Sequence, residues 1–193
     1  MRVHLICVFA LLAFPLVSQA QVPVFEVTPV KSTIDFDVEA SVAIKGTFQK
    51  WDSSFTCTST DANLCVLEIR IQADSVDTGS GMKDGKLKSK DFFNVKDNPY
   101  ITFKSTKNVQ TGPDTFEVDG DFTIRGVTKP EKLSLTLVGK GTGSGTVTGT
   151  MAFDRKDYGM NSGIPFIKIA NRVEVTVDMN VKRVSGPPVV FKQ

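Results

Sequence analysis

Residues 173–181 read Val173-Glu174-Val175-Thr176-Val177-Asp178-Met179-Asn180-Val181, five apolar side chains separated by four polar ones. Alternation at period two places the apolar set on one face of a strand and the polar set on the other. The same pattern recurs upstream. Ile34, Phe36 and Val38 alternate with Asp35, Asp37 and Glu39, and Leu67, Ile69 and Ile71 alternate with Glu68, Arg70 and Gln72. Phe116, Val118, Phe122 and Ile124 share one parity, opposite Glu117, Asp119, Asp121 and Arg125. Leu133, Leu135 and Leu137 follow, then Val147, Met151 and Phe153. With the segments around Phe48 and Ile101–Phe103, about eight strands are predicted. One apolar face per strand means an all-β, antiparallel sheet with one side wet. Eight such strands close into a barrel just wide enough for side chains or one slender ligand. A two-sheet sandwich produces the same alternation, and periodicity leaves both open.

Four stretches depart from the pattern. Thr56–Asn63 is polar and reads as a hairpin tip. Gly139–Gly145 carries glycine at every second position and reads as a flexible hairpin loop, because no helix follows it to form a phosphate cradle. Residues 80–93 hold Met82, Leu87 and Phe92-Phe93 among lysines, which suits a short amphipathic helix or a lid over a barrel end. The tail from Gly186 contains Pro187-Pro188 and is expected to fray.

The first twenty residues stand apart from this domain. Arg2 is followed by an uncharged apolar run, Leu5–Leu12, then by Pro15 and the small residues Ser18 and Ala20. That is the layout of a cleaved export signal, and the run is too short to span a bilayer comfortably. Cleavage after Ala20 leaves 193 − 20 = 173 residues, one domain running over 21–193. The mature chain then carries 23 − 1 = 22 basic against 21 acidic residues, a balance that asks for neither nucleic acid nor an anionic surface. It also loses His4, the one histidine of the sequence. Ser-His-Asp and Cys-His catalysis, histidine-ligated metals and histidine pH switches are excluded with it. Two cysteines remain, Cys57 and Cys65, and in an exported protein such a pair reads as a disulfide.

No catalytic or metal-ligating constellation emerges. Ser80-Gly81-Met82-Lys83 matches the opening motif of penicillin-recognising serine enzymes, but the companion Ser-Asp-Asn and Lys-Thr-Gly motifs are missing. Asp35 and Asp37 sit on a wet strand face, and Asp154-Arg155-Lys156-Asp157 reads as a structural or exposed charge run. Residues 74–85 lack the spacing of a calcium loop.

Longer blocks carry a resemblance. Ser32-Thr33-Ile34-Asp35-Phe36-Asp37-Val38 and Gly46-Thr47-Phe48 open it, followed by Asp74-Ser75-Val76-Asp77-Thr78. Asp84, Leu87, Lys88-Ser89, Asp91-Phe92-Phe93 and Pro99–Ser105 continue it. The strongest block is Val118–Pro130, and Arg155 with Asp157-Tyr158-Gly159-Met160 closes it. In this order and spacing they resemble the YceI-like family of secreted lipid- or polyisoprenoid-binding proteins, over about Val24 to Val184. The resemblance implies an eight-stranded, lipocalin-like antiparallel barrel with an apolar tunnel for an isoprenoid-type chain, no enzyme activity, no cofactor and no metal. It also implies a periplasmic or secreted location. Lys83 stands where the family commonly has arginine, and Glu39 and Lys86 stand where histidines are frequent.

A tunnel of this kind would be lined by inward residues: Phe36, Val38 and Phe48, then Leu67 and Ile69, then Ile101 and Phe103. Phe122, Ile124, Phe153 and Met160 would complete its wall, with Leu87, Phe92 and Phe93 from the lid. The expected partner is a small lipid or isoprenoid, with no nucleic acid and no stable membrane insertion, and a homodimer is left open. The alternative is a barrel filled by its own side chains that acts through its surface as an envelope interaction module. For the export signal, the expected outcome is a mature protein beginning at Gln21, read by intact mass after expression with the leader attached; retention of Met1–Ala20 in the exported protein contradicts it.

Overall fold

The computed structural model describes residues 21–41, 44–139, 141–163 and 168–192. The leader expected over 1–20 lies outside them. The strands are β1 (Val24–Ala40), β2 (Ile44–Phe48), β3 (Trp51–Cys57), β4 (Cys65–Gln72) and β5 (Val76–Asp77). One helix follows, α1 (Gly81–Lys88), then β6 (Tyr100–Gln110), β7 (Thr115–Ile124), β8 (Val127–Val138), β9 (Ser144–Asp154) and β10 (Ile169–Ser185).

Neighbouring strands run in the order β10-β9-β8-β7-β6-β4-β3-β1, and β1 pairs back onto β10, so the sheet is a closed barrel. β2 continues β3 as one bent stave, and β5 continues β4 as another; β2 and β5 pair with each other at Thr47↔Asp77 and Phe48↔Val76. Ten assigned segments are therefore eight antiparallel staves. The bend is held at one corner, where Lys50 N donates to Ser75 Oγ (3.0 Å) and Gln72 N to Lys50 O (2.9 Å).

Bulges curve the wall, and each of two bulged strands buries a serine beside the break. In β1 the register slips between Thr28 and Thr33, and Ser32 Oγ accepts from Asn180 N (2.9 Å). In β6 it slips between Ser105 and Lys107, and Ser105 Oγ accepts from Leu67 N (2.9 Å). The hydroxyl takes over a ladder donor that the extra residue would have orphaned. The β7–β8 turn is the two-residue Arg125-Gly126, with φ of 55° and 75°, the left-handed pair that a tight hairpin demands. Arg125 is thus a turn residue, not a strand residue on the wet face, and its Nη2 donates to Lys90 O (3.0 Å) beyond α1.

Cys57 and Cys65 are direct cross-strand partners of β3 and β4 and are bonded, with Cα atoms 3.9 Å apart. The carboxy-terminal tail is not frayed. Val190 N donates to Thr60 O (2.7 Å), Ala62 N donates to Val190 O (3.3 Å), and Phe191 packs edge-on against Phe116 at 6.1 Å. The apolar residues 188–191 find a barrel end to bury against, which outweighs the turn-forming effect of the two prolines before them.

Inward residues fall in three layers along the axis. On β4, Ile71 lies towards the α1 end, Ile69 in the middle and Leu67 towards the tail. On β6, Ile101 is followed by Phe103; on β7, Phe122 by Gly120 and then Val118. Phe103 and Phe122 are cross-strand partners. The middle layer, made of Ile69, Phe103, Leu133, Met151, Val177 and Met179, is buried throughout. A Cβ on Gly120 would come 2.4 Å from Phe103 Cζ, so glycine there is what lets the ring lie against the β7 backbone. This filled middle makes Phe103 a core residue. Phe103→Ala is expected to lower the unfolding free energy of the ligand-free protein by about 3–5 kcal/mol in urea titration; a loss below about 1 kcal/mol would contradict a packed middle layer.

Candidate ligand-binding interior

Above and below the filled layer the barrel is hollow. The lid-end chamber has a volume of about 70 Å³. Its wall includes Phe36 and Val38 from β1, Phe48 from β2, Ile101 from β6, and Phe122 and Ile124 from β7. Phe153 and Met160 complete it, and Leu87, Phe92 and Phe93 close it from above. The chamber at the opposite end, where the carboxy-terminal tail crosses as a strap, is the larger at about 140 Å³, and the wall of this strap-end chamber includes Leu67. Ile69 and Phe103 line neither. The inward aromatic residues Phe36, Phe103 and Phe122 therefore do not border one continuous space. The layer that contains Phe103 lies between two.

Most of the residues expected to line a tunnel border the lid-end chamber, and of them only Leu67 borders the strap-end one. Phe25, Phe55, Phe116, Leu135 and Val147 line the strap-end chamber, with Pro188, Val189 and Phe191 of the tail. Phe116, Leu135 and Val147 stood on the inward parity already. For the tail, the signal was the apolar run Val189-Val190-Phe191 after the prolines. The disulfide also borders this chamber.

The lid is held by polar pins more than by an apolar helix face. In α1 only Leu87 is buried, and Met82 is 87% exposed, so the helix is not the amphipathic one expected. Asp84 Oδ1 accepts from Thr78 N (2.8 Å) and Thr78 Oγ1 (2.7 Å), tying the first turn to the end of β5. Lys86 Nζ bonds Asp91 Oδ2 at 2.6 Å, and that hydrogen bond holds the Asp91 carboxyl below the usual range. Phe93 N donates to Leu87 O (2.9 Å), turning Phe92 and Phe93 down into the chamber. Ser80 is the N-cap residue of α1, and its side chain makes no capping bond.

Two cations border the lid-end chamber, Lys83 and Arg155. Arg155 is buried, and its guanidinium donates to the carbonyls of Ala170 (3.0 Å), Ser162 (2.9 Å) and Met160. It pins residues 160–162 to β10. Behind the same wall, fully buried Tyr158 packs edge-on against Phe122 and Phe153 at 5.5 and 5.2 Å. Burial, and then a 2.7 Å hydrogen bond to Glu131, push its phenol well above the ordinary range, so it stays neutral. Among the described residues no cluster of three or more His, Cys, Asp or Glu side chains is placed to hold a metal ion. No described helix is long and apolar enough to cross a membrane.

The YceI-like domain family matches residues 25–181. A UPF0312 protein of Pseudomonas aeruginosa is 38% identical over 96 residues, and one of Azotobacter vinelandii is 34% identical over 96 residues. In both, the match covers 50% of this chain and 50% of the relative, so the chain spans about half the length of the curated relatives it matches. Among solved structures, Burkholderia cenocepacia BcnA superposes with a TM-score of 0.72 at 22% identity, covering 80% of this chain and 99% of that one. A polyisoprenoid binding domain from Saccharophagus degradans superposes with a TM-score of 0.66 at 14% identity, covering 83% of this chain and 99% of that one. At these identities the superpositions speak to the fold alone.

The tail strap yields a test of its own. Gln110 grips Lys192 twice, Oε1 accepting from Lys192 N (2.7 Å) and Nε2 donating to Lys192 O (2.8 Å). Removing two such bonds costs about 1–3 kcal/mol locally. In Gln110→Ala, hydrogen exchange of the Val190 and Lys192 amides is expected to accelerate by roughly tenfold while amides of β7 stay unchanged. Unchanged exchange at Val190 would mean that Gln110 does not latch the strap.

Proposed function

Since the chain belongs to the YceI-like family, we propose that its barrel carries or sequesters a long-chain apolar molecule, of isoprenoid, isoprenoid-quinone or lipid-like chemistry. The observation that carries this reading is the pair of apolar chambers stacked on one barrel axis. A chamber of about 140 Å³ has the size of a cavity that takes up a benzene-sized guest. Rigid interiors of folded domains seldom leave two such spaces in line, because packing normally closes them.

The energetics favour a long chain over a short one. A buried methylene contributes about 0.8 kcal/mol, so a five-carbon isoprene unit contributes on the order of 4 kcal/mol gross. Association and ordering cost roughly 4–15 kcal/mol. One or two units therefore bind poorly, and a longer chain is held firmly. The role is binding and not catalysis, in a protein delivered by its leader to the periplasm or outside the cell. A second reading draws on the filled middle layer: a barrel occupied by its own side chains, presenting a surface to an envelope partner.

Native mass spectrometry of protein purified from its natural envelope tests the proposal. The expected spectrum retains a lipid- or isoprenoid-sized adduct, and a free ligand at 100 times its Kd raises stability by about 2.7 kcal/mol. An empty protein whose melting temperature no long-chain prenol or quinone shifts would overturn it and favour the surface module.

A further inference from the structure

Resting on the chain-binding reading, we propose that Phe103 is the residue that sets the length of chain the barrel accepts, because its ring is the partition between the two chambers. On β4 the lid-end, middle and strap-end layers are Ile71, Ile69 and Leu67, four residues apart from end to end. At about 3.3 Å per residue the outer layers are roughly 13 Å apart as measured along the strand. A short chain fits within one chamber. Any chain that reaches both must pass the layer in which Phe103 lies.

Phe103 is the only ring of that layer, and its edge lies against the Gly120 backbone. Its cross-strand partner Phe122 faces the lid-end chamber, already packed against Phe153 at 5.1 Å. The layer also holds Met151 and Met179, whose unbranched thioether side chains change rotamer readily. On the far side, Gly149 is hemmed in by Leu135 and Val177, since a Cβ there would lie 2.6 and 2.7 Å from their methyls. Both glycines are therefore filled by neighbouring side chains, the Phe103 ring on one side and aliphatic methyls on the other. Tilting the Phe103 ring along the axis, with the methionines giving way, joins the chambers; holding it against Gly120 keeps them apart. Chain units within one chamber bind without this rearrangement, whereas the first unit to cross must supply it.

The test is a series of dissociation constants for geraniol, farnesol, geranylgeraniol and solanesol, in wild type and Phe103→Ala. Expected in wild type is an affinity that rises with length, then flattens where the chain first meets the partition. In Phe103→Ala the flat step disappears, and the long-to-short affinity ratio rises by at least about tenfold. A merely structural role would lower affinity for every length by one common factor and leave that ratio unchanged. Equal length profiles in the two proteins overturn the proposal while leaving chain binding intact. Binding of no prenol by either protein overturns chain binding itself, and the length selector with it. Should Phe103→Ala fail to fold, Phe103→Leu keeps the comparison available, with a smaller rise in the same ratio.

Discussion

The closure of β1 onto β10 is the constraint from which the rest of this molecule follows. Both strands are 17 residues long, and they pair from Val24↔Ser185 to Ala40↔Ile169. With that seam made, neither strand presents an open edge, and every inward side chain of eight staves must share one interior. An open sheet or a sandwich would have let the same alternating sequence pack flat. The seam is not regular: it slips three times, and the longest slip is mended by Ser32 in place of a backbone acceptor. Curvature is thus obtained with the Asn180 N–H kept paired.

Within the closed wall, the distribution of ring and glycine decides where space remains. Phe103 over Gly120 fills the middle, while Phe36, Phe48, Phe93, Phe122 and Phe153 surround space at the lid end. At the opposite end, the tail and the disulfide-stapled hairpin close over the larger chamber. Each end has its own cover, and the two covers are built differently. The lid hangs on Thr78–Asp84 and Lys86–Asp91, near the solvent, whereas the strap is held by Gln110 and by main-chain bonds to residues 60 and 62. Local opening at either end therefore breaks a few exposed bonds and spares the barrel.

Much of the fold was legible because it obeys a period of two. Alternation in Val173–Val181 and its counterparts fixed which residues face inward, and the family resemblance chose the barrel over the sandwich. What periodicity could not reveal was depth along the axis. Phe103 and Phe122 share inward orientation, yet one fills the middle and the other borders a chamber, because the outcome depends on the partner strand's glycine. Arg125 was misread for a local reason: alternation was extended one residue past Ile124 into a turn that only the left-handed Arg125-Gly126 backbone makes visible. The tail was misread because its prolines were weighed above its apolar run. The polar pins of the lid pair residues five and six apart in sequence, Lys86 with Asp91 and Thr78 with Asp84, and no hydrophobic pattern reports them.

An apolar chain held along the barrel axis would pass from one chamber to the other. Intermolecular NOEs between a long unlabelled prenol and methyl-labelled protein address it most directly. Ile71 and Ile124 report the lid-end chamber, and Leu67 and Leu135 report the strap-end chamber. Cross-peaks from the one bound molecule to both sets are predicted. Cross-peaks confined to exposed methyls such as Leu64 and Val184, with both interior sets silent, would contradict the account.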